Sequence, residues 1–332
     1  MHVLALYIKE ERERNFKGQK KIIECMPNTD KAICRALEKK GHDVVKLDYN
    51  SGELLDVAKG FDVIFNLCDG LEDDTDFIEF KILQDIEKTG IPFTGNRLST
   101  IKLCNDKRRI KDVLVKNNIL TPVYQVFKSP EETLDPNIKF PVIVKPVCAD
   151  AAVGIYADSV VNNEKDLKDK VKRVLEVHEQ PAALVSEYIE GRDLTIPVMG
   201  NKNIKALYPI ELKYIRSYKN RPNILSYGAK WAKGKPIYKD CITFSKNPEK
   251  RFSRKELDLI DSVARKVYKA MGCTGYATVD ARLDKDGNVF VIEINPNCWI
   301  GPRSDTALSL KANYDIDFPG MIDKIVRIAL ER

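Results

Sequence analysis

Residues 275–297, GYATVDARLDKDGNVFVIEINPN, leave the chain few options. Apolar and polar residues alternate on both sides of Asp286-Gly287, a strong short-range signature of a β-hairpin. A two-residue turn at that dipeptide sets Asp280 directly opposite Glu293. A four-residue turn moves the pairing by two and keeps both on one face. Asn295, two residues beyond Glu293, shares that face. Three oxygen-bearing side chains therefore converge on one side of a ribbon. A solvated surface hairpin also carries polar residues, but Glu293 sits in VFVIEIN, an otherwise apolar run where an unpaired carboxylate is costly. The set suits Mg2+, a hard cation that takes one or two carboxylates and completes its shell with phosphate oxygens and water. Two such ions can bridge phosphates and neutralise the charge that develops on phosphoryl transfer, and Mn2+ can take their place.

Length and composition narrow what surrounds the hairpin. At roughly 100–200 residues per domain, 332 residues make two or three domains. The 43% apolar fraction fills packed cores and argues against bulk disorder. No run approaches the roughly 20 apolar residues that cross a bilayer. The N-terminal MHVLALYIKEERERNFKGQK puts its apolar run before its charges, the wrong order for a secretion signal. A cytoplasmic protein without a membrane partner is expected. The eight cysteines include no CxxC pair and read as reduced, mostly packed thiols. The three histidines are scattered and near no other candidate site, which leaves histidine-based acid–base or nucleophilic chemistry unsupported. The net charge of +6 is modest, yet lysine and arginine gather at 202–239 against a single acid, Glu211. A solvated basic face or an anionic ligand such as a nucleotide accounts for that stretch. Nucleic acid is disfavoured, because no aromatic-rich binding motif accompanies the charge.

The first hundred residues alternate strand and helix. Strands are predicted at 2–7, 44–47 and 63–67. One helix starts at Asn28 or Thr29, turns Ala32, Ile33, Ala36 and Leu37 inward and ends at Gly41; another spans 77–88. This rhythm implies a doubly wound parallel sheet. Residues 92–96 read as a linker turn before a long helix over 98–116. Strands at 124–127, 142–145 and 184–187 surround a charged helix at 164–177. A helix at 254–271, the hairpin and a helix at 318–331 complete the chain. Within VIVKP, Lys145 places an ammonium in an apolar strand, which calls for an anion beside it.

With these pieces in order, the chain resembles the ATP-grasp superfamily, and within it the D-alanine–D-alanine ligase branch. The likeness covers nearly the whole sequence. IPFTGNRLSTIKLCNDKRRIKDVLVKNNILTPVYQVF resembles the family's linker and the start of its second domain, FPVIVKPVCADAAVG its phosphate-loop strand, LVSEYIEGRDLTIPVMG its nucleotide hinge, and the hairpin with INPN its metal site. The resemblance implies a mixed α/β and α+β fold in three parts: an N-terminal parallel-sheet domain at 1–97, a small ATP-grasp subdomain with the phosphate loop at 98–190, and a large one with the Mg2+ hairpin at 191–332. It also implies ATP and Mg2+ as cofactors, small carboxylate and amine substrates, and a homodimer. Carried over by position, Lys107, Lys145 and Lys230 contact ATP phosphates. Glu187, Tyr188 and Ile189 form the adenine hinge, Asp193 binds the ribose, and Asp280, Glu293 and Asn295 hold the metal. The loop at 148–154 closes over the phosphates.

The substrate side departs from the family. Its His-Gly becomes Asp69-Gly70, the loop serine becomes Ala151 beside an added Asp150, and a tyrosine becomes Trp231. The arginine two residues before the first metal ligand, which stabilises the developing oxyanion, becomes Thr278. Ser304 matches the serine that receives the second substrate's carboxylate, and Arg303 beside it is a candidate replacement for the missing arginine. Asp150 is a candidate for recognising the amine. The expectation is an amide-forming ligase that works through an acyl-phosphate on substrates other than D-alanine. Three alternatives stay open: addition of an amino acid to a peptide or protein terminus, a nucleotide-binding regulator without turnover, and a nucleic-acid binder.

Overall fold

Strand β1 (His2–Tyr7) lies between β2 (Asp43–Asp48) and β3 (Val63–Asn66), all parallel, with α1 (Thr29–Lys39) crossing from β1 to β2. Alternation along the strands sends side chains to two covered faces. Val3, Val63 and Phe65 pack with Ile33 and Leu37 of α1, whereas Leu4, Leu6 and Ile64 pack with Ile82, Leu83 and Ile86 of α2 (Ile78–Lys88). A helix layer on each face is what the strand–helix rhythm implies. The computed structural model describes residues 1–8, 14–16, 19–21, 29–49, 53–68, 72–73, 76–149, 152–214, 221–231 and 241–332.

The single helix expected over 98–116 is two helices, α3 (Leu98–Cys104) and α4 (Lys107–Lys116). Asp106 interrupts them. Its backbone is extended, and its carboxylate accepts from the amides of Arg108 and Arg109 at 2.9 and 3.2 Å, capping α4. The break fixes Lys107 at the first position of the new helix.

Strands β4 (Tyr124–Phe127), β5 (Val142–Pro146), β6 (Val160–Val161) and β7 (Ala183–Glu187) form an antiparallel sheet in the order β6-β5-β7-β4. Helix α5 (Glu164–Glu176) covers it through Leu167, Val171 and Val174. The largest sheet is also antiparallel. It contains β8 (Arg192–Met199), β9 (Lys205–Ala206), β10 (Ile210–Tyr214), β11 (Cys241–Phe244), β12 (Tyr276–Leu283) and β13 (Val289–Asn295). The order is β11-β10-β8-β12-β13, with β9 on β8, so β13 is an edge. Helix α6 (Tyr227–Trp231) precedes β11, and α7 (Arg254–Ala270) begins at a reciprocal Ser253–Glu256 cap. Val267 and Tyr268 of α7 and Leu114 of α4 pack on Val279 and Val291 of the sheet. After α8 (Asp305–Asn313), α9 (Phe318–Ala329) returns to the first layer, where Met321, Ile325 and Val326 meet Ile33, Leu37 and Phe65. No described helix is long and apolar enough to cross a membrane.

The hairpin forms with a different tip. The Asp284 amide donates to the Asn288 carbonyl at 3.0 Å and Gly287 has φ of +83°, so the loop is 285–287, three residues rather than two. That loop alone would place Asp280 opposite Ile292 and turn Glu293 to the other face. A β-bulge at Ile292, between the pairs Asp280–Glu293 and Ala281–Val291, inserts the compensating residue. Asp280 therefore faces Glu293, and Thr278 faces Asn295, as the sequence implies.

Candidate active site

The four-stranded sheet and the large sheet enclose a cleft of about 1050 Å³, counted to its open mouth. Asp280 and Glu293 stand on its floor. Thr195, paired with Asp280 from β8, donates to the Asp280 carboxylate at 2.7 Å. Lys107 reaches within 3.6 Å of Glu293. Asn295, two residues along β13, is exposed and not on the cleft wall, and its side-chain oxygen accepts from the Asn297 amide at 2.9 Å. Burial and the neighbouring Glu293 charge push the Asp280 carboxyl up to about 7. Burial acts to raise Glu293 as well, but Lys107, Lys145 and Lys230 outweigh it and hold that carboxyl low.

Two carboxylates that raise each other's cost of ionisation favour a divalent cation between them. No three His, Cys, Asp or Glu side chains gather as a metal cage among the described residues. The donor set thus fits an ion that draws its remaining ligands from phosphate and water, which is the habit of Mg2+. Because the ion must displace the Asp280 proton, its apparent affinity should rise about tenfold per pH unit up to near pH 7 and level off above it. Calorimetric Mg2+ titrations in the presence of ADP at pH 5.5, 6.5 and 7.5 would check this; a flat profile would contradict it.

Lys107, Lys145 and Lys230 all line the cleft, as does Lys111, which the sequence reading passed over. Burial lowers the Lys145 ammonium. Burial and the charge of Lys145 bring Lys111 down to about 7. Lys107 also donates to the Ala149 carbonyl, tying α4 to the start of the loop that begins at Cys148. At the far end of that loop Gly154 has φ of +73°, and a Cβ there would sit 2.5 Å from Pro146. The His178 ring lies behind Gly154 and stacks on Tyr156 at 5.9 Å, so one histidine does border a candidate site, against the sequence expectation. Asp69, Asp150 and Ala151 lie outside the described residues, as does the Trp231 side chain.

Glu187, Tyr188, Ile189 and Asp193 line the opposite end of the cleft. Tyr188, Ile189 and Asp193 are held by Arg282, a second residue that the sequence reading missed. Its guanidinium takes the Asp193 carboxylate at 2.5 and 3.0 Å, donates to the Ile189 carbonyl at 2.6 Å and to the Asn223 carbonyl, and lies over the Tyr188 ring. Tyr214 also donates to Asp193. Gly191 lets the hinge approach β12, since a Cβ there would come within 2.4 Å of the Leu283 carbonyl oxygen.

The structure does not bring Arg303 and Ser304 to the cleft wall. Arg303 is exposed, and Ser304 is buried with its hydroxyl accepting from the Ala307 amide at the start of α8. Thr278 is buried and shares a hydrogen bond with Cys298. Asp305, half-buried, is raised by burial against the pull of Lys230. Signals for the overlooked residues were uneven. Lys111 lies one turn from Lys107 and so on its helix face. Arg282 is a charge inside the apolar strand VDARL. Thr195 comes from a distant strand, and nothing local announces it. The basic stretch divides: Lys230 lines the cleft, while Lys202 and Lys205 border a separate surface depression with Lys269.

A cleft between two antiparallel sheets, lysines on its wall and two carboxylates on its floor define an ATP-grasp enzyme. It is an ATP- and Mg2+-dependent carboxylate–amine ligase. The chain belongs to the D-alanine–D-alanine ligase family: the family model "D-ala D-ala ligase C-terminus" matches residues 116–327. The D-alanine–D-alanine ligase of Carboxydothermus hydrogenoformans is 32% identical over 314 residues, covering 91% of this chain and 93% of that protein. Among solved structures, the D-alanine–D-alanine ligase of Bacillus anthracis superposes with a TM-score of 0.73 at 22% identity, covering 100% of this chain and 98% of its own. The VanG D-Ala:D-Ser ligase of Enterococcus faecalis gives 0.71 at 18% identity, with 99% of each chain covered.

Proposed function

We propose that this enzyme joins a small carboxylate to an amine other than a second D-alanine, through an acyl-phosphate. The observation that carries this reading is the Asp280–Glu293 pair under a lysine-lined wall, with Thr278 in place of the family's oxyanion arginine. A substrate carboxylate oxygen attacks the γ-phosphorus of ATP, the β–γ bridging bond breaks, and ADP leaves with that bridging oxygen. The amine then attacks the acyl carbon, loses a proton and expels phosphate. Lys107, Lys145 and Lys230 neutralise the phosphates, and the hinge at Glu187–Ile189 with Asp193 holds adenine and ribose. Asp280, Glu293 and Asn295 would hold Mg2+, which supplies charge neutralisation at the phosphates. The lid at 148–154 excludes water from the acyl-phosphate.

A neighbour named for D-Ala:D-Ser ligation supports variation of the second substrate within this fold. The described surroundings of the acceptor side differ from an arginine-bearing pocket: Thr278 is buried against Cys298, and Asp305 approaches Lys230. Asp69, Asp150, Trp231 and Ser304 are the further candidates for selecting substrates, and Arg303 would have to move to reach the oxyanion. The units 1–97, 98–190 and 191–332 are the working domain boundaries. A cytoplasmic homodimer completes the reading, with the thiols of Cys34, Cys104, Cys148, Cys273 and Cys298, unpaired among the described residues, in keeping with a reducing compartment.

The test is ADP and phosphate release from Mg-ATP over pools of amino acids, short peptides and small carboxylates, with Glu293→Ala as control. Stimulation by a pool that disappears in the control is the expected result. Stimulation by D-alanine alone would overturn the altered-substrate reading.

A further inference from the structure

The bulge at Ile292 decides which face Glu293 takes, so whatever holds the bulge also holds the metal site. Among the described residues β13 is the edge of its sheet, and its outward backbone groups have no neighbouring strand. At Val291, beside the bulge, those groups are nevertheless bonded. The Val291 amide donates to the Leu120 carbonyl at 2.9 Å. The Val291 carbonyl accepts from the Thr121 hydroxyl at 2.8 Å and, more weakly, from the Lys111 ammonium at 3.5 Å. Lys111 donates also to the Thr121 hydroxyl.

Lys111 is 2% exposed and Thr121 is 9% exposed, and Lys111 has no carboxylate at ion-pair distance among the described residues. For stability alone, an apolar side chain would serve better there than a desolvated ammonium. Its position explains it: one turn before it on α4, Lys107 contacts Glu293 itself. One helix face therefore grips both the carboxylate and the backbone that aims it.

We propose that Lys111 and Thr121 are positioning residues that clamp the Ile292 bulge and so aim Glu293 at Asp280. The inference rests on the reading of Glu293 as a Mg2+ ligand. It gives that ligand a support built from α4 and the segment that joins it to β4.

The probe is Mn2+, titrated against the protein with saturating ADP and followed by electron paramagnetic resonance. The variants are Thr121→Val, Thr121→Ser and Lys111→Met. Thr121→Val and Lys111→Met are expected to weaken Mn2+ about tenfold, the usual consequence of removing a group that orients a ligand. Thr121→Ser keeps the hydroxyl and should bind as the parent does. Metal-free melting temperatures separate positioning from mere edge capping. Unchanged Mn2+ affinity in both Thr121→Val and Lys111→Met, whichever way their melting temperatures move, would overturn the clamp. If Thr121→Val fails to fold, Lys111→Met decides alone, by the same criterion. Glu293→Gln, measured alongside, isolates the underlying reading: parental Mn2+ binding in that variant would remove Glu293 as a ligand and leave the clamp nothing to aim.

Discussion

Glu293→Gln should lower kcat/KM on the order of 10³-fold while the protein folds and still binds nucleotide. The change is nearly isosteric, so the bulge and the pairing with Asp280 persist. What disappears is the negative charge. A metal ion at a transferring phosphoryl group supplies several kcal/mol of transition-state stabilisation, and losing about 4 kcal/mol of it is roughly a thousandfold in rate. Lys107, 3.6 Å from Glu293, loses its partner and becomes free to bind phosphate more strongly. Affinity for metal-free ADP should therefore hold or improve. With the neighbouring charge gone, the Asp280 carboxyl should also fall from about 7, which moves the pH step in Mg2+ affinity downward. Steady-state kinetics at saturating Mg2+, with ADP binding measured separately, would test both halves. A variant that keeps near-parental turnover would show that the hairpin carboxylates do not hold the catalytic metal.

Lys145→Met should separate function from stability in opposite directions. The ammonium rises from an apolar strand, burial lowers its pKa, and Glu293 acts on it only at a distance. In the nucleotide-free protein that ammonium is a desolvated cation without an ion-pair partner among the described residues. Methionine fills similar space without the charge, and stabilisation of about 1 kcal/mol is reasonable. In a domain of this size that appears as a melting temperature roughly 2–4 °C higher. With ATP the balance reverses, because the phosphates lose a cation on the cleft wall. A fall of about 10²–10³-fold in kcat/KM is expected, together with a smaller thermal shift on adding ATP. Calorimetry with and without nucleotide reads both quantities. A variant that loses stability and activity together would mean that Lys145 supports the fold instead of the phosphates.

Much of this was readable in the chain, for reasons that differ by region. The parallel layer follows from apolar alternation, since Val3 and Leu4 must face different helices. The facing of Asp280 and Glu293 was legible because side-chain direction along a strand has period two. Yet the expected two-residue turn was wrong, and the pairing survived only because Ile292 bulges. Nothing in GNVFVIEIN marks Ile292 over its neighbours; the bulge is set by contacts from residues 111–121, far away in sequence. Asp106 was a readable cap hidden inside a helical pattern, and its oversight merged two helices. Arg282 escaped for another reason. Its four partners come from the hinge and from residue 223, so its role exists only once three segments meet.

The same bulge has a practical side. Pairing between Asp280 and Glu293 is fixed from below, by β8 and by the Lys111–Thr121 grip, instead of by the number of residues at the hairpin tip. The tip is thereby mechanically decoupled from the chemistry. Lys285 and Asp286 are exposed there, on a three-residue loop that closes onto Asp284. Exposed tips of this kind accept insertions readily. A short reporter peptide or an affinity tag inserted at 285–286 should leave the floor of the cleft undisturbed, which makes this loop a convenient handle for engineering the enzyme.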